Sequence, residues 1–96
     1  MTEAQYQARL IKRIEGIFAG CLVLKNDSRQ LQGIPDLLLL WGRHWAMLEV
    51  KISEDASFQP NQYYYLSWAG EMSFAAVIHP GNEEEVLRGL QRAFAT

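Results

Sequence analysis

Gly33-Ile34-Pro35-Asp36-Leu37-Leu38-Leu39-Leu40-Trp41-Gly42-Arg43-His44-Trp45-Ala46-Met47-Leu48-Glu49-Val50-Lys51-Ile52 is the stretch whose reading decides the fold. Asp36 to Trp41 is so dense in leucine that it reads as a strand buried on both faces of a sheet. Gly42, Arg43 and His44 carry a turn signal, and Ala46 to Ile52 returns as a second strand. That strand alternates: Ala46, Leu48, Val50 and Ile52 point one way, while Met47, Glu49 and Lys51 point the other. The two strands form a hairpin whose open end carries Asp36 on one side and Glu49 and Lys51 on the other.

Working outward, residues from about Glu3 to Ala19 read as a helix. Tyr6, Leu10, Ile11, Ile14, Ile17 and Phe18 recur at three- and four-residue spacing, Thr2 is the N-cap and Gly20 the stop. Cys21 to Leu24 follows as a short apolar strand, then a polar loop from Lys25 to Gly33. Beyond the hairpin, Ser53 to Ser57 is a loop. Pro60 opens a helix that reaches about Ala69, with Gly70 as its terminator. Ser73 to His79 is a strand, Pro80-Gly81 a turn, and Asn82 the cap of a last helix with Glu83, Glu84 and Glu85 in its first turn. Val86, Leu87, Leu90 and Phe94 form the core face of that helix. The predicted order is αβββαβα: one α/β domain over residues 1–96 with a mixed sheet.

A chain of 96 residues supports one such core and not two. Cys21 is the single cysteine, which rules out an internal disulfide framework and points to a reducing compartment. With only His44 and His79 beside it, a structural zinc site is excluded as well. Leu37 to Trp41 is far too short an apolar run to cross a bilayer, and the charged N-terminus lacks the profile of a signal peptide. No membrane role is expected, and the expected location is the cytoplasm. The formal net charge is −2, but setting aside the three acids at 83–85 and the three candidate site acids Glu3, Asp36 and Glu49 turns the balance to +4. That is compatible with phosphate contact.

Glu49 and Lys51, two apart on a strand, project from one face about 7 Å apart. Taken alone they read as an ordinary solvated pair. Asp36 changes the weighting, because the hairpin brings it beside Glu49. With the turn at Gly42 to Trp45, partners sum to roughly 87, which sets Asp36 opposite the Val50–Lys51 region. Two carboxylates held that close repel unless a cation lies between them, and a hard divalent ion takes such oxygen ligands. At about 100° per residue, the apolar stripe of the first helix has its mean direction near Glu3. Glu3 is therefore the expected third acid, with Glu15, at the edge of the stripe, ranked behind it.

Together these residues resemble the PD-(D/E)XK nuclease superfamily, and within it the VRR-NUC (virus-type replication-repair nuclease) domain in its standalone phage or bacterial form. Gly33-Ile34-Pro35-Asp36 and Glu49-Val50-Lys51 match the two halves of the signature, Gln62 the glutamine that opens the next helix, and Gly70 the glycine that ends it. The match spans roughly residues 3 to 80. The resemblance implies a restriction-endonuclease-like αβββαβ core with an added C-terminal helix, and metal-dependent hydrolysis of DNA phosphodiesters. It implies that Asp36, Glu49 and the Val50 carbonyl hold Mg²⁺ or Mn²⁺, and that Glu3 completes the site. Lys51 would position or polarise the attacking water, and Gln62 would orient it or a carboxylate. It also implies a homodimer acting on branched DNA such as a Holliday junction, in the cytoplasm of a bacterial host if the gene is phage-borne.

Lys25, Ser28 and Arg29, just before Asp36, are candidate phosphate contacts, and Arg43 at the hairpin tip is another. Tyr63, Tyr64, Tyr65 and Trp68 place aromatics on more than one face of the second helix. That pattern suits a subunit interface better than base stacking. Three other readings stand beside the structure-selective nuclease. They are a nonspecific nickase or nuclease subunit of a larger complex, a catalytically silent DNA-binding subunit, and an unrelated small α/β binding protein.

Overall fold

Thr2 begins the first helix through a capping box: its hydroxyl accepts the Gln5 N–H, and the Gln5 side chain accepts the Thr2 N–H. The computed structural model describes residues 1–96 and contains α1 (Glu3–Ile17), β1 (Leu22–Lys25), β2 (Leu37–Trp41), β3 (His44–Val50), α2 (Gln62–Met72), β4 (Phe74–Ile78) and α3 (Glu83–Phe94). The chain is α/β with the element order αβββαβα. Its four strands form one mixed sheet in the order β1-β2-β3-β4, antiparallel up to β3, with β4 parallel to β3. A parallel pair needs a crossover, and α2 provides it. No helix is long and apolar enough to cross a membrane.

Alternation on the strands sorts the side chains into two faces. Leu37, Leu39, Ala46, Leu48, Val50 and Ile78 share one face and are buried. Tyr6, Leu10, Ile14 and Phe18 of α1 and Val86, Leu87, Leu90 and Phe94 of α3 join them in a single core. At the hairpin end, Phe18, Trp41 and Phe94 pack with ring centroids 5.2–5.8 Å apart, and His44 stacks on Phe94 at 5.5 Å. At the other end, Glu83 accepts the Tyr6 hydroxyl at 2.8 Å and pairs with Arg13, whose second nitrogen reaches Glu84 at 2.7 Å. This cluster fastens α1 to the start of α3.

The second face is only half covered. α2 packs on β4 and β3, where Met47 and Ala69 are buried, and leaves β1 and β2 bare. Leu38 is half-buried, while Leu22, Leu24 and Leu40 are 55%, 41% and 37% exposed. The leucine run is therefore buried on one face, not both. A run of one residue type shows that burial is available but not whether an element lies opposite each face.

Several boundaries shift for local reasons. The hairpin turn is two residues, Gly42-Arg43, with Gly42 at φ +60°, so β3 starts at His44 and ends at Val50. Leu37 pairs Leu48, which sets Asp36 across from Glu49 itself rather than from Val50–Lys51. α2 starts at Gln62 after Asn61 in the left-handed region, and it runs through Gly70 to Met72. Gly70 is no terminator: it lies inside the helix, and a Cβ there would meet only the Ala75 methyl at 4.0 Å, an ordinary contact. Asn82 occupies the N-cap position of α3 but does not cap it. Its side chain accepts the His79 N–H and donates to the Val77 carbonyl, tying off β4.

Candidate functional site

Hairpin register builds the site. Asp36 enters β2 from Pro35 and Glu49 is the penultimate residue of β3, so two acids face each other at the open end. Asp36 Oδ2 accepts the Val50 N–H at 2.9 Å, which fixes one carboxylate oxygen against the opposite strand. Its backbone carbonyl accepts the Asn26 N–H, and the Asn26 side chain donates to the Pro35 carbonyl at 2.8 Å. Asn26 thus locks the Pro35-Asp36 peptide in place, a role its position in a polar loop does not announce.

Glu49, Lys51 and Gln62 form a buried cluster, 2%, 7% and 8% exposed. Gln62 Nε2 donates to Glu49 Oε2 at 2.9 Å, and Gln62 Oε1 accepts from both Lys51 Nζ at 3.1 Å and the Gln59 N–H at 2.8 Å. Lys51 Nζ also donates to the Ser57 carbonyl at 3.1 Å, lies 3.4 Å from Glu49 Oε2 and sits 5.4 Å from the centre of the Phe58 ring. The ammonium is therefore held by fixed acceptors on three sides. Ser57, Phe58 and Gln59 lie in a stretch that reads from sequence as loop and helix lead-in. They join the site only because the chain turns back over the end of β3.

Glu49 Oε1 is the one buried side-chain oxygen or nitrogen without a partner. Burial and then the neighbouring Asp36 charge push the Glu49 carboxyl up to about 7, against the opposing pull of Lys51. Lys51 engages Oε2 alone, so Oε1, beside a second carboxylate, still has room for a further positive charge. Asp36 and Glu49 are the only acids there, since no group of three or more acids, cysteines or histidines converges anywhere in the chain.

Glu3 does not complete the set. It is exposed at the first position of α1, and the buried stripe begins one turn later at Tyr6. The helical angle gives the direction of the Glu3 side chain, but nothing lies opposite that first turn to bury it. Glu15 is exposed too and lies near Cys21, whose thiol is raised by burial and to a smaller extent by the Glu15 charge. Cys21 itself is buried in the core. Val50 is brought in through its N–H.

A cavity of about 290 Å³ opens beside Asp36. Ser28, Gln32, Gly33 and Ile34 form one wall, Gln59 and Gln62 the other, with Asp36 between them. Lys25 and Arg29 lie on the rim segment: Lys25 pairs with Leu37, and Arg29 is exposed and spends its guanidinium on Asp27 at 3.1 and 3.2 Å. Arg43 sits at the hairpin turn, a strand length or roughly 20 Å from Asp36, and is not part of this site. No family model matches the chain, and no curated protein or solved structure gives a match.

Proposed function

We propose that this protein is a metal-dependent DNA endonuclease of the VRR-NUC type, with Asp36, Glu49, Lys51 and Gln62 as its working residues. The observation that carries the reading is the unpartnered, buried Oε1 of Glu49, whose other oxygen is held by Gln62 and Lys51 and whose strand position lies across from Asp36. The element order and the mixed sheet are compatible with a restriction-endonuclease-like core.

The donor set suits Mg²⁺ or Mn²⁺. Both take carboxylate oxygens, and Mg²⁺ in particular is commonly held by one or two carboxylates while keeping several waters. Asp36 and Glu49 would hold the ion, with the Val50 carbonyl as a third protein ligand. Bound there, it would supply the positive charge that eases nucleophilic attack on a phosphodiester. Lys51 is fixed by the Gln62 oxygen and the Ser57 carbonyl, which both accept from its ammonium. It offers that fixed charge to the oxygens on which negative charge grows as water adds to phosphorus and a P–O ester bond breaks. Gln62 is a positioning residue, joining the Glu49 carboxylate to the Lys51 ammonium through one amide.

Branched DNA as substrate and a homodimer as the working form belong to the same proposal. For the dimer, the support is the bare half of the sheet. Leu22, Leu24 and Leu40 are exposed there, and Trp68, 6.5 Å from the Trp45 ring, flanks them. A patch of several hundred Å² marks an interaction surface, and a standard interface buries about 800 Å² per partner. Two copies placed face to face would cover leucines with leucines.

The test is cleavage of supercoiled plasmid and of a synthetic four-way junction, with Mg²⁺ and then with chelator, beside Lys51→Ala and Glu49→Gln. The expected result is metal-dependent cutting of the junction that both variants lose by at least a hundredfold. A wild-type protein that cuts neither substrate in Mg²⁺ or Mn²⁺ refutes the enzyme. Equal cutting of unbranched duplex removes only the selectivity.

A further inference from the structure

The cavity beside Asp36 has a lining that the metal chemistry leaves unexplained. It contains one apolar residue, Ile34, and no lysine or arginine, and its only charge is Asp36. A phosphate placed there would meet a carboxylate and no cation. The hydrogen bonds of Gln59 and Gln32 in this region run through their backbones, so both side-chain amides are left free to face a ligand. Each offers a donor and an acceptor side by side, the pattern that pairs with the edge of a nucleobase. At about 290 Å³ the space lies just below the usual range of ligand-binding cavities and is enough for one heterocycle.

The cavity is also braced at one point. Gly33, at φ +92°, touches the opposite wall: a Cβ on it would lie 2.6 Å from the Asn61 carbonyl carbon and 2.7 Å from the Pro60 oxygen. The segment before β2 and the segment before α2 are thus fastened together where Gly33 meets Pro60–Asn61.

We infer that this cavity receives a single unpaired nucleobase from the strand whose phosphate lies at Asp36 and Glu49, with Gln32 and Gln59 reading its edge. The inference rests on the nuclease reading and supplies a source for selectivity. A base in a duplex must break its pair and leave its stack to enter, and an unpaired base at a branch point gives up least. Preference for branched DNA then comes from an entry cost, not from contacts to the duplex arms.

The test uses the whole protein and a duplex with a single-stranded flap, in chelator so that nothing is cut. An abasic residue is moved through successive positions around the branch, and a fluorescent purine analogue is placed at the same positions. One position is expected to lose affinity by about tenfold when abasic, and the analogue there should change its emission on binding. The double variant Gln32→Ala, Gln59→Ala, altered at two exposed side chains, should bind intact and abasic flaps alike. Affinity indifferent to abasic residues at every position overturns the pocket, and the nuclease reading survives if Mg²⁺ still supports cutting. Base-dependent binding without cutting in any metal keeps the pocket and removes the nuclease. Failure to bind any flap, together with no cutting in Mg²⁺ or Mn²⁺, removes both.

Discussion

Glu49 shows the conflict between folding and chemistry at the scale of one residue. Its carboxylate is 2% exposed, faces a second carboxylate and leaves one oxygen without a partner. Burying a charge in that way costs stability unless a counter-charge is present, and Lys51 at 3.4 Å offsets only part of it. Glu49→Gln keeps the shape, removes the charge and supplies an amide able to donate toward Asp36. Without divalent metal at neutral pH, the variant should be more stable than wild type by about 1 kcal/mol in urea unfolding. A loss of stability would mean that the Glu49–Lys51 pair is a net support of the fold. Gln62→Ala should go the other way. It strips a partner from both Glu49 and Lys51, and leaving buried polar groups unpaired costs about 1–3 kcal/mol.

At the scale of elements, two glycines make opposite predictions. Gly33 joins the loop before β2 to the start of α2, in a left-handed conformation and with backbone within 3 Å of where a Cβ would be. Gly33→Ala must shift Pro60–Asn61 or distort the loop, and it should cost about 2 kcal/mol or more in chemical unfolding. Gly70 lies inside α2 with only the Ala75 methyl, 4.0 Å away, in ordinary contact. Gly70→Ala should therefore stabilise by about 0.5–1 kcal/mol, the helix-interior difference between the two residues. Loss of stability at Gly70 would show that the approach of α2 to β4 has no room for a methyl. Both glycines sit next to elements that carry site residues. Packing separates a turn that needs glycine from a helix that merely tolerates it.

Two predictions belong to the molecule as a whole. The bare half of the sheet predicts a dimer: light scattering should give twice the chain mass, and Leu40→Glu, placing a charge among Leu22, Leu24 and Trp68, should give the monomer. A wild-type monomer at high concentration would rule out that interface. The clasp between α1 and α3 predicts a response to acid. Burial alone would raise the Glu83 carboxyl, but the hydrogen bonds from Arg13 and Tyr6 outweigh it and hold Glu83 below its usual range. A carboxyl lowered by folding contributes stability that is present above the unfolded value, here 4.5, and lost as pH falls through the folded one. Melting temperature should therefore drop more steeply below about pH 4.5 in wild type than in Glu83→Gln. Parallel curves would mean that the clasp contributes nothing to stability.

Periodicity and punctuation in the sequence determined the element order, the α/β class and the hairpin and brought Asp36 near Glu49, while the two-residue turn set the two directly opposite. Each of those depends on spacing along the chain, which a 3.6- or two-residue period records directly. Lys51 was legible as a candidate for the same reason, and Gln62 through the resemblance to the VRR-NUC pattern. Tertiary structure decided what lay opposite each face. It put Glu3 in solvent, left half of the leucine face bare, carried α2 through Gly70, and brought Asn26, Ser57, Phe58 and Gln59 to the site. Burial and hydrogen bonding across the fold depend on where a second, distant element comes to rest. A single helix or strand carries the direction of its side chains but no record of what they will meet.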